Sequence, residues 1–538
     1  MKASYKFYLT LTLAAFAACF SASAQDFQTG YFLGGYNHAF RLNPAFQNER
    51  SHFSLVTGDI GLGARTDMGL STFLFPKDGR LVTALNPEVS SEEFLSQFTG
   101  DMNPLAVYAN IDLLTLGFWA KHSYITIDAR VRTDVETIFP TSLFEFLKDG
   151  TKYKNEFDLS GLSANADAFL ELSLGFSHRM FADKLSIGGR VKYLSGLAHA
   201  NVNMEKTYLK MAEDQWVIEA QGALDLSFEA LDGVVDKDGY YDYEAMGVSF
   251  DAANLASPAG IGGAVDLGVS FDIFPWLTAS AAVLDLGVIQ WNSNIYGLTP
   301  TAVYTWEPTG RYIDLLDPDS IDQFSDDEMD RLEDAFENLY RFKPAEAKEE
   351  STKLPMRVNA GVELRLPFYD RLSLGALYSM KNSDLYKWNE VRLSLNWSPA
   401  EWLSFSGSTA MSNIGESFGA AFNFHPRSLN IFVGADFIPK RIAAIPGIGK
   451  DLPNFVGIPI EQLNANIYLG ISLAIGKARL NHARHYIWSA GVEEKDEYQD
   501  AFPLEDIVTP QEDATPGFVP VTDEPQPAEG EQVVVAES

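Results

Sequence analysis

The sequence predicts a closed antiparallel transmembrane β-barrel of about 14 to 16 strands, and three features predict it. Apolar and polar residues alternate along many segments, as in residues 264–274, AVDLGVSFDIF. The alternating segments are about 8 to 16 residues long, which suits tilted crossing of a bilayer better than a soluble sheet. Short connections flanked by aromatic residues also separate many of the segments. Together these features give an all-β fold class.

Alternation is the first feature, and it recurs in residues 124–132, 168–176 and 357–366. One face of each strand carries Val, Leu, Ile and Phe, while the other carries mostly Ser, Gly, Ala and Asn with occasional Asp, Glu and Arg. The outer face of a soluble sandwich meets water and usually carries many long charged residues. We therefore expect the apolar face to meet lipid, which requires a closed barrel because open sheet edges are too costly in hydrocarbon. A secreted all-β sandwich or solenoid is the alternative. Candidate strands begin near residues 51, 105, 122, 168, 184, 214, 259, 276, 354, 371, 389, 402, 417, 429 and 464.

The connections predict which strand ends share a side of the membrane. Five are short, and aromatic residues beside them are typical of the interfacial girdle at the periplasmic end of a barrel. Three connections, 135–167, 293–353 and 438–463, are long and are expected at the other end. If the turns near 182 and 275 lie at the same end, an even number of strands must separate them. The fifteen candidates then lack one, near 243–251 or 204–211, unless false positives near the N-terminus reduce the count to fourteen. The short connections are 180–184, 274–276, 367–371, 398–401 and 425–428.

The two chain termini predict export and a flexible end. Residues 1–24 combine two lysines, an apolar run and a small-residue cleavage site, the pattern of a signal peptide, so the mature chain is expected to start at Gln25. The only cysteine, Cys19, lies within that segment and is a weak alternative lipoprotein site. Residues 491–538 are acidic and proline-rich, which predicts a disordered tail, either a solvated terminus or an arm that binds a periplasmic protein.

A charged insertion interrupts the strand pattern at 312–350. Within it, residues 325–340 show a capping box followed by apolar residues on one helical face, which predicts one amphipathic helix in a long loop. This helix is expected either to fold onto the barrel or to dock a partner. Shorter helices are predicted at 91–98 and 142–147.

Composition and motifs argue against several classes of function. The net charge of −33 argues against a nucleic-acid partner, because phosphate binding needs clustered Lys and Arg. The sequence contains neither H-E-x-x-H nor G-x-S-x-G, so no enzyme is predicted. No cofactor or metal site is predicted either. A calcium loop at 236–244 would need acidic residues at Val234 and Ala245, where the chain has none.

The polar face of the strands supplies candidate lumen residues. Residues 277–291 change the phase of their alternation near Val283 and Leu284, which predicts a β-bulge that turns Asp285 inward and keeps Leu284 among the lipid-facing residues. Pairing is expected between Asp128 and Arg130, and between Glu363 and either Arg357 or Arg365. The full set of candidates comprises Asp128, Arg130, Arg132, Glu171, Arg190, Asp266, Asp285, Arg357, Glu363 and Arg365.

Several short motifs resemble those of an uncharacterised family of Bacteroidota outer-membrane β-barrels, which is similar to FadL-like transporters and to barrel subunits of the type IX secretion system. The resemblance covers residues 25–490, and the insertion at 312–350 and the acidic tail depart from it. The motifs are Asn43-Pro44-Ala45, residues 263–268, Asp285-Leu286-Gly287 with Trp291, residues 396–399 and residues 425–427.

The resemblance implies an outer-membrane barrel of a Gram-negative bacterium at 51–490, with residues 25–50 packed inside as a hatch that carries Asn43, Pro44 and Ala45. Its implied role is porin-like or FadL-like transport of small solutes, hydrophobic ones included, with membrane lipid around it. The alternative is a non-conducting scaffold or secretion-accessory barrel that binds partner proteins. A continuous polar lumen would favour a pore, an apolar pocket under the hatch would favour FadL-like uptake, and a packed interior would favour a scaffold.

Overall fold

The computed structural model describes residues 27–476 with gaps. The predicted signal peptide, the acidic tail and almost all of the helix predicted at 325–340 lie outside the described residues. Within the described part of the chain, no helix is long and apolar enough to cross a membrane. The gaps are at 57, 79, 212–215, 229–233, 243–257, 293–294, 300–301, 307–324, 326, 328–340, 347–349, 386, 440–441, 445–456 and 460–464.

The core of the structure is a closed antiparallel barrel of 14 strands, which confirms the predicted fold at the lower end of its strand range. The first strand is interrupted, and the eighth is preceded by a short segment, Glu350–Lys353, that pairs with the seventh. The strands are β1 (Ser51–Leu55 and Ile60–Thr66), β2 (Met102–Ala120), β3 (Ser123–Pro140), β4 (Leu162–Met180), β5 (Leu185–Met211), β6 (Gly260–Phe274), β7 (Leu277–Trp291), β8 (Met356–Leu366), β9 (Tyr369–Asn382), β10 (Lys387–Ala400), β11 (Leu403–Ser412), β12 (Gly415–Phe424), β13 (Leu429–Pro439) and β14 (Ala465–Ile475).

The ring closes between the last strand and the first. Ser51 of β1 is the partner of Ile475 of β14, and the second part of β1 continues the pairing from Ile60 with Leu469. Phe53 is the partner of Leu473, and Ile60 is the partner of Leu469. More residues of β1 than of β14 lie between these two pairs, so β1 bulges there, and Val56 has a φ of 58°. Because the ring is closed, the wall offers no long unpaired edge to hydrocarbon.

All connections at one end of the barrel are short, as the sequence predicts. They are 121–122, 181–184, 275–276, 367–368, 401–402 and 425–428, and we call this end the short-turn end. Exposed aromatic residues surround it, including Phe181, Phe368 and Trp402. The long connections lie at the opposite end, which we call the loop end, together with two short ones at 383–386 and 413–414. This asymmetry is typical of outer-membrane barrels.

Of the two alternatives for the strand count, the ring has the lower, fourteen. The candidate at 204–211 is part of β5, and the candidate at 243–251 lies outside the described residues. The candidate near 214 forms a strand, Trp216–Phe228, but that strand is not part of the ring. It pairs with the half of β5 nearest the loop end, while β6 pairs with the half nearest the short turns. Two ring strands therefore separate the turns at 182 and 275, which satisfies the even-number rule with one candidate removed rather than one added.

The outward face of the strands is apolar over most of the ring. In β6, Leu267 is 57% exposed, whereas the alternating residue Asp266 is fully buried. The same alternation exposes Leu174 of β4, Leu393 of β10 and Leu469 of β14. Large apolar patches on a soluble monomer are rarely this extensive. A closed barrel with such an outer face is the form of an outer-membrane protein.

The bulge predicted in β7 is present. Between β6 and β7 the register shifts so that Leu284 and Asp285 together oppose Asp266. Asp285 has a φ of 59°, and both Leu284 and Asp285 are fully buried. The expectation that Leu284 continues the lipid-facing set is wrong, because the extra residue of the bulge turns two successive side chains inward.

Smaller elements cover the loop end. The helices predicted at 91–98 and 142–147 are present as α2 (Ser91–Leu95) and α3 (Thr141–Asp149), after a single-turn helix α1 (Leu70–Phe73). The turn at 236–239 is closed by the Asp236 carboxylate, which accepts from the backbone N–H groups of Asp238 and Tyr240. The remaining strands are Leu74–Lys77, Arg80–Thr83, Glu156–Asp158, Ile295–Leu298, Ala302–Trp306, Lys343–Pro344, Ile442–Ala444 and Gly457–Pro459.

Candidate functional site: the filled lumen

Residues 27–50 lie inside the barrel, and we call them the lumen segment. It is mostly buried and contains two short 3-10 helices, Gln28–Gly30 and Ala39–Arg41. It forms hydrogen bonds or ion pairs with all of the ring strands, although it adds no strand to the sheet. One partner per strand, from β1 to β14, is Asp59, Asp112, Asp128, Arg179, Ser186, Val269, Ser280, Asn359, Ser379, Arg392, Ser408, Asn423, Asp436 and Ser472.

The Asn-Pro-Ala motif holds the lumen segment against the wall. The Asn43 side chain is fully buried; its Oδ1 accepts from the Ala45 N–H at 2.9 Å, and its Nδ2 donates to the Val269 carbonyl at 3.2 Å. Two glycines that are direct partners across β5 and β6, Gly188 and Gly268, form the surface beneath it. A Cβ on Gly188 would lie 2.1 Å from the Pro44 carbonyl oxygen, and one on Gly268 would lie 2.1 Å from Asn43 Oδ1. The close approach of the motif therefore requires glycine at both positions.

Buried charges fill the side of the lumen lined by β1–β8, and we call them the charge cluster. Different strands contribute opposite charges, so the ion pairs between them also tie one strand to another. Arg130 of β3 pairs with Glu171 of β4 at 2.9 Å, and Arg190 of β5 pairs with Asp128 of β3 at 2.8 Å. The cluster consists of six basic side chains, Arg41, Arg130, Arg132, Arg190, Lys192 and Arg357, and six acidic ones, Asp59, Asp112, Asp128, Glu171, Asp266 and Asp285.

Asp285 connects three of the basic groups. Its carboxylate lies 3.1 Å from Arg132 and 2.8 Å from Arg357, and it also contacts Lys192. Its backbone N–H donates to Asp266 Oδ1 at 2.7 Å, a contact that the β-bulge makes available. Buried charges are tolerated only when they are paired and hydrogen-bonded, and each of the twelve members has an ion-pair partner within the cluster. Asp134 lies 3.9 Å from Arg132 and extends the network to Lys381 and Glu136.

Of the expected pairs, Glu363 with Arg365 is found and Asp128 with Arg130 is not. Arg130 pairs with Glu171, its direct partner across β3 and β4, rather than with Asp128 two residues away on its own strand. Glu363 pairs with Arg365 at 3.0 Å, while Arg357 pairs with Asp285. Eight of the ten candidate residues therefore meet in the cluster, and Glu363 and Arg365 lie apart from it near the short-turn end. That any of these ten residues lies along a path for solute stays a prediction.

Arg41 is the one member of the cluster that the lumen segment contributes. Its guanidinium lies 2.7 Å from Asp112 and 3.0 Å from Asp59, and Asp59 belongs to the bulge of β1. The neighbouring His38 is fully buried, 3.7 Å from Asp112. Burial lowers the pKa of His38 well below its ordinary value, and the charge of Arg41 lowers it further, so the imidazole is neutral at pH 7.

Aromatic side chains of the lumen segment fill the side lined by β9–β14. Phe27 stacks on Tyr468 of β14 at 4.6 Å between ring centroids, and Tyr36 meets Phe432 of β13 edge to face at 4.9 Å. The wall on this side is lined by small polar residues. They are Ser373, Ser379, Ser394, Asn396, Ser404, Ser406, Ser408, Ser417, Asn423 and Asn430, all buried. The same strands also carry four buried charged side chains, Lys381, Glu390, Arg392 and Asp436.

An open cavity of about 1290 Å³ lies at the short-turn end beneath the lumen segment. Residues 31–37 and 45–50 of the segment form one side of it, and the short turns of the wall form the rest. Aromatic residues, Tyr31, Phe32, Phe46, Trp276 and Trp402, share the lining with Ser, Asn and charged side chains. The segment thus separates this cavity from the interior of the barrel.

Four members of the charge cluster were not predicted, namely Arg41, Asp59, Asp112 and Lys192. Lys192 lies two residues after Arg190 on the same face of β5, so alternation alone identifies it. Asp59 lies in the bulge of β1, and Arg41 lies in the lumen segment, which has no regular alternation. Their inward direction depends on contacts that sequence periodicity does not show.

Comparisons with known proteins give a family and a set of solved structures to which the chain is similar. The Ralstonia pickettii toluene transporter TbuX has a TM-score of 0.38 and 8% identity, over 81% of this chain and 93% of that one. The Pseudomonas putida toluene transporter TodX has a TM-score of 0.35 and 10% identity, over 82% and 94%. A Pseudomonas aeruginosa FadL homologue has a TM-score of 0.32 and 10% identity, over 84% and 98%.

No curated protein matches the sequence. One family matches residues 44–436, from the Asn-Pro-Ala motif to β13, and it is described as a family of unknown function, DUF5723. This match spans more than half of the chain, including most of the barrel and the end of the lumen segment. The chain therefore belongs to the DUF5723 family.

Proposed function

We propose that the protein is a transport barrel in the outer membrane of a Gram-negative bacterium, and that the lumen segment is its hatch. In this proposal a small solute, hydrophobic ones included, enters or leaves through the cavity at the short-turn end. The observation that carries the proposal is the lumen segment itself, which closes the barrel as a separate piece of chain and forms the inner side of a 1290 Å³ cavity. Displacement of the segment would therefore open the lumen without breaking the sheet.

The contacts of the lumen segment support displacement on one side more than on the other. Along β9–β14 it meets the wall through hydrogen bonds to Ser and Asn, through hydrogen bonds to the charged groups of Arg392 and Asp436, and through aromatic packing. The neutral hydrogen bonds contribute about 0.5–1.5 kcal/mol each, because water replaces them on separation, and those to Arg392 and Asp436 contribute about 1.5–3 kcal/mol each. Along β1–β8 the segment is held by Arg41, whose ion pairs are fully buried. The serine and asparagine wall is thus the side along which the proposed path opens.

The bulge of β1 supports a link between the segment and the wall. Next to the bulge β1 loses its pairing with β14, and the Asp59 carboxylate instead pairs with Arg41 of the segment at 3.0 Å. Movement of Arg41 would remove the ion pair that compensates the buried Asp59 carboxylate. We therefore expect the wall beside Asp59 to rearrange whenever the hatch moves.

The chemistry of the cavity supports a small solute with an apolar part. Tyr31, Phe32 and Phe46 of the segment offer aromatic surface, while Ser280, Ser373 and Asn396 offer hydrogen-bonding groups. Binding sites for small molecules commonly combine an apolar lining with a few polar groups that fix orientation. No enzymatic activity is proposed.

The proposal is tested by solute flux into liposomes that contain the full mature chain or a variant lacking residues 25–50. Neutral sugars and small aromatic solutes serve as probes. We expect slow flux through the full chain and at least tenfold faster flux through the deletion variant, because the serine and asparagine side of the lumen is then empty. Flux no greater than that of protein-free liposomes in both samples, with the deletion variant still folded, would overturn the proposal.

A non-conducting scaffold is the second candidate, and the charge cluster favours it. Its twelve buried charges tie strands of β1–β8 together across that side of the lumen. In this function the lumen segment is a permanent part of the core, and the acidic tail at 491–538 binds a periplasmic protein. A pull-down with the tail as bait is expected to recover such a protein, and an empty pull-down would remove the main support. The Bacteroidota origin and the similarity to type IX secretion barrels stay predictions.

A further inference from the structure

A second site lies near the loop end, where the sheet divides. β5 pairs with β6 up to Gly196 and with the strand Trp216–Phe228 from Ala198 onward. The two partners of β5 therefore diverge at this point and leave a fork. Side chains from three separate parts of the chain meet in it, and none of them takes part in the lumen contacts described above.

The three side chains are His199 of β5, Asp225 of the strand Trp216–Phe228, and Glu350 of the segment that precedes β8. One ligand atom from each, a ring nitrogen or a carboxylate oxygen, lies within 4.8 Å of the other two. The His199 and Asp225 side chains are buried, and Glu350 is about one-third exposed, so the site has a route to solvent. Such a set of one imidazole and two carboxylates contains the donor types that Zn²⁺ takes in proteins.

The orientation of His199 points to a ligand. Its Nδ1 lies 2.6 Å from the Asp167 carboxylate of β4, and its ring stacks on Trp291 at 4.8 Å with an angle of 15°. Its Nε2 is fully buried, lies 4.0 Å from Glu350 Oε2 and has no hydrogen bond within the described structure. A histidine that ligates a metal typically holds its second nitrogen on a carboxylate in this way, which fixes the ring and the tautomer.

We propose that His199 Nε2, Asp225 and Glu350 bind one divalent transition-metal ion of the Zn²⁺ type, with Asp167 as the residue that positions His199. A water molecule entering past Glu350 completes four-coordination. The ion joins β5, the strand Trp216–Phe228 and the segment before β8, so it fastens the fork at the loop end. It also neutralises two carboxyl groups, those of Asp225 and Glu350, that contact each other.

A shared proton is the alternative to the metal, because two carboxyl groups in contact are also stable when one of them is protonated. The two explanations differ in what Glu350→Gln does. A glutamine amide replaces a protonated carboxyl as a hydrogen-bond donor to Asp225, so it preserves a proton-sharing pair. It removes a carboxylate ligand, so it weakens metal binding.

The test is Zn²⁺ binding to the full mature chain in detergent, after treatment with a chelator and dialysis, by isothermal titration calorimetry and metal analysis. We expect one equivalent of Zn²⁺ that binds more tightly than Ca²⁺, and loss of that equivalent in His199→Ala and Glu350→Gln. Asp167→Asn is expected to weaken it by about 10- to 100-fold, the usual effect of losing a partner that orients a ligand. His178→Ala removes a histidine near the short turns and is expected to keep the equivalent, as the matched control.

The melting temperature provides a second readout, because an ion that binds only the folded state stabilises it. Zn²⁺ is expected to raise the melting temperature of the native chain and of His178→Ala, and to leave that of Glu350→Gln unchanged. A folded barrel is recognised by its altered migration in unheated gels. If His199→Ala or Asp167→Asn fails to fold by this criterion, Glu350→Gln alone decides the test. Equal Zn²⁺ binding by the native chain and a folded Glu350→Gln variant would overturn the proposal. Solute flux plays no part in this measurement, so the result is independent of the transport proposal.

Discussion

The two sides of the lumen solve the same packing problem with different chemistry. Along β1–β8 the wall itself fills the space with long charged side chains, and Arg41 is the only charge that the lumen segment adds. Along β9–β14 the wall carries mostly Ser and Asn, with four buried charged side chains, Lys381, Glu390, Arg392 and Asp436, and aromatic rings of the segment, Phe27, Tyr31 and Tyr36, fill the space instead. The interior of a large barrel is filled by side chains, water or a plug. Here side chains of the wall fill one side, and side chains of the lumen segment fill the other.

This difference indicates which side of the lumen is rigid and which side can lose its contacts with the lumen segment. Opposite charges on neighbouring strands stabilise the charged side only while every partner is present, because an unpaired buried charge is very costly. The small polar residues on the other side can bind water in place of the segment, at little cost per group. The charged side is therefore expected to behave as a fixed wall, and the serine and asparagine side as the part that tolerates removal of the segment.

Asp285→Ala is expected to have the largest effect on stability. The substitution leaves Arg132, Lys192 and Arg357 with three positive charges around an empty position, and breaking a buried pair in this way costs about 3–5 kcal/mol. The free energy of unfolding, measured by denaturant titration in lipid vesicles, checks it. Glu363→Ala is the control, because it removes a partly exposed pair with Arg365 and is expected to cost about 0–1 kcal/mol. Equal losses in the two variants would contradict the rigid role of the charge cluster.

Gly268→Ala is expected to loosen the lumen segment. Its Cβ would lie 2.1 Å from Asn43 Oδ1 and 2.8 Å from Pro44 Cδ, so the Asn-Pro-Ala motif must move, at a cost of about 1–3 kcal/mol. Faster proteolytic cleavage within residues 27–50 is the measurement. Gly407→Ala of β11 is the matched control, since a Cβ there meets nothing within 4 Å. Unchanged cleavage of Gly268→Ala would show that the motif does not anchor the segment.

Ser406→Ala on the serine and asparagine side is expected to have the smallest effect. It removes one hydrogen bond, from the Ser406 hydroxyl to Asn396 Oδ1 at 2.6 Å, which contributes about 0.5–1.5 kcal/mol. The same denaturant titration measures it beside Asp285→Ala. A loss as large as that of Asp285→Ala would show that the two sides do not differ in rigidity.

The sequence predicted the fold well because the barrel depends on a simple alternating pattern. In β6 every second residue from Val265 to Ile273 is apolar, and this alone places Asp266 inside. The phase change in β7 predicted a bulge near Val283 and Leu284 that turns Asp285 inward, and the structure has it at Leu284 and Asp285. Leu284 was placed on the wrong face because a bulge turns two successive residues inward. The strand Trp216–Phe228 was wrongly assigned to the ring because the alternation within a strand does not show which strand it pairs with.

By itself, then, the sequence determined that the chain forms a β-barrel, where most strands lie and which side of each strand faces inward, since period-two alternation is a local property. Only the tertiary structure decided which charges pair, because Arg130 meets Glu171 through the register of two strands. It also decided the meeting of His199, Asp225 and Glu350 at the fork, since these residues are far apart in the chain. They lie together where β5 changes from one partner strand to another, and local sequence patterns do not predict such a change.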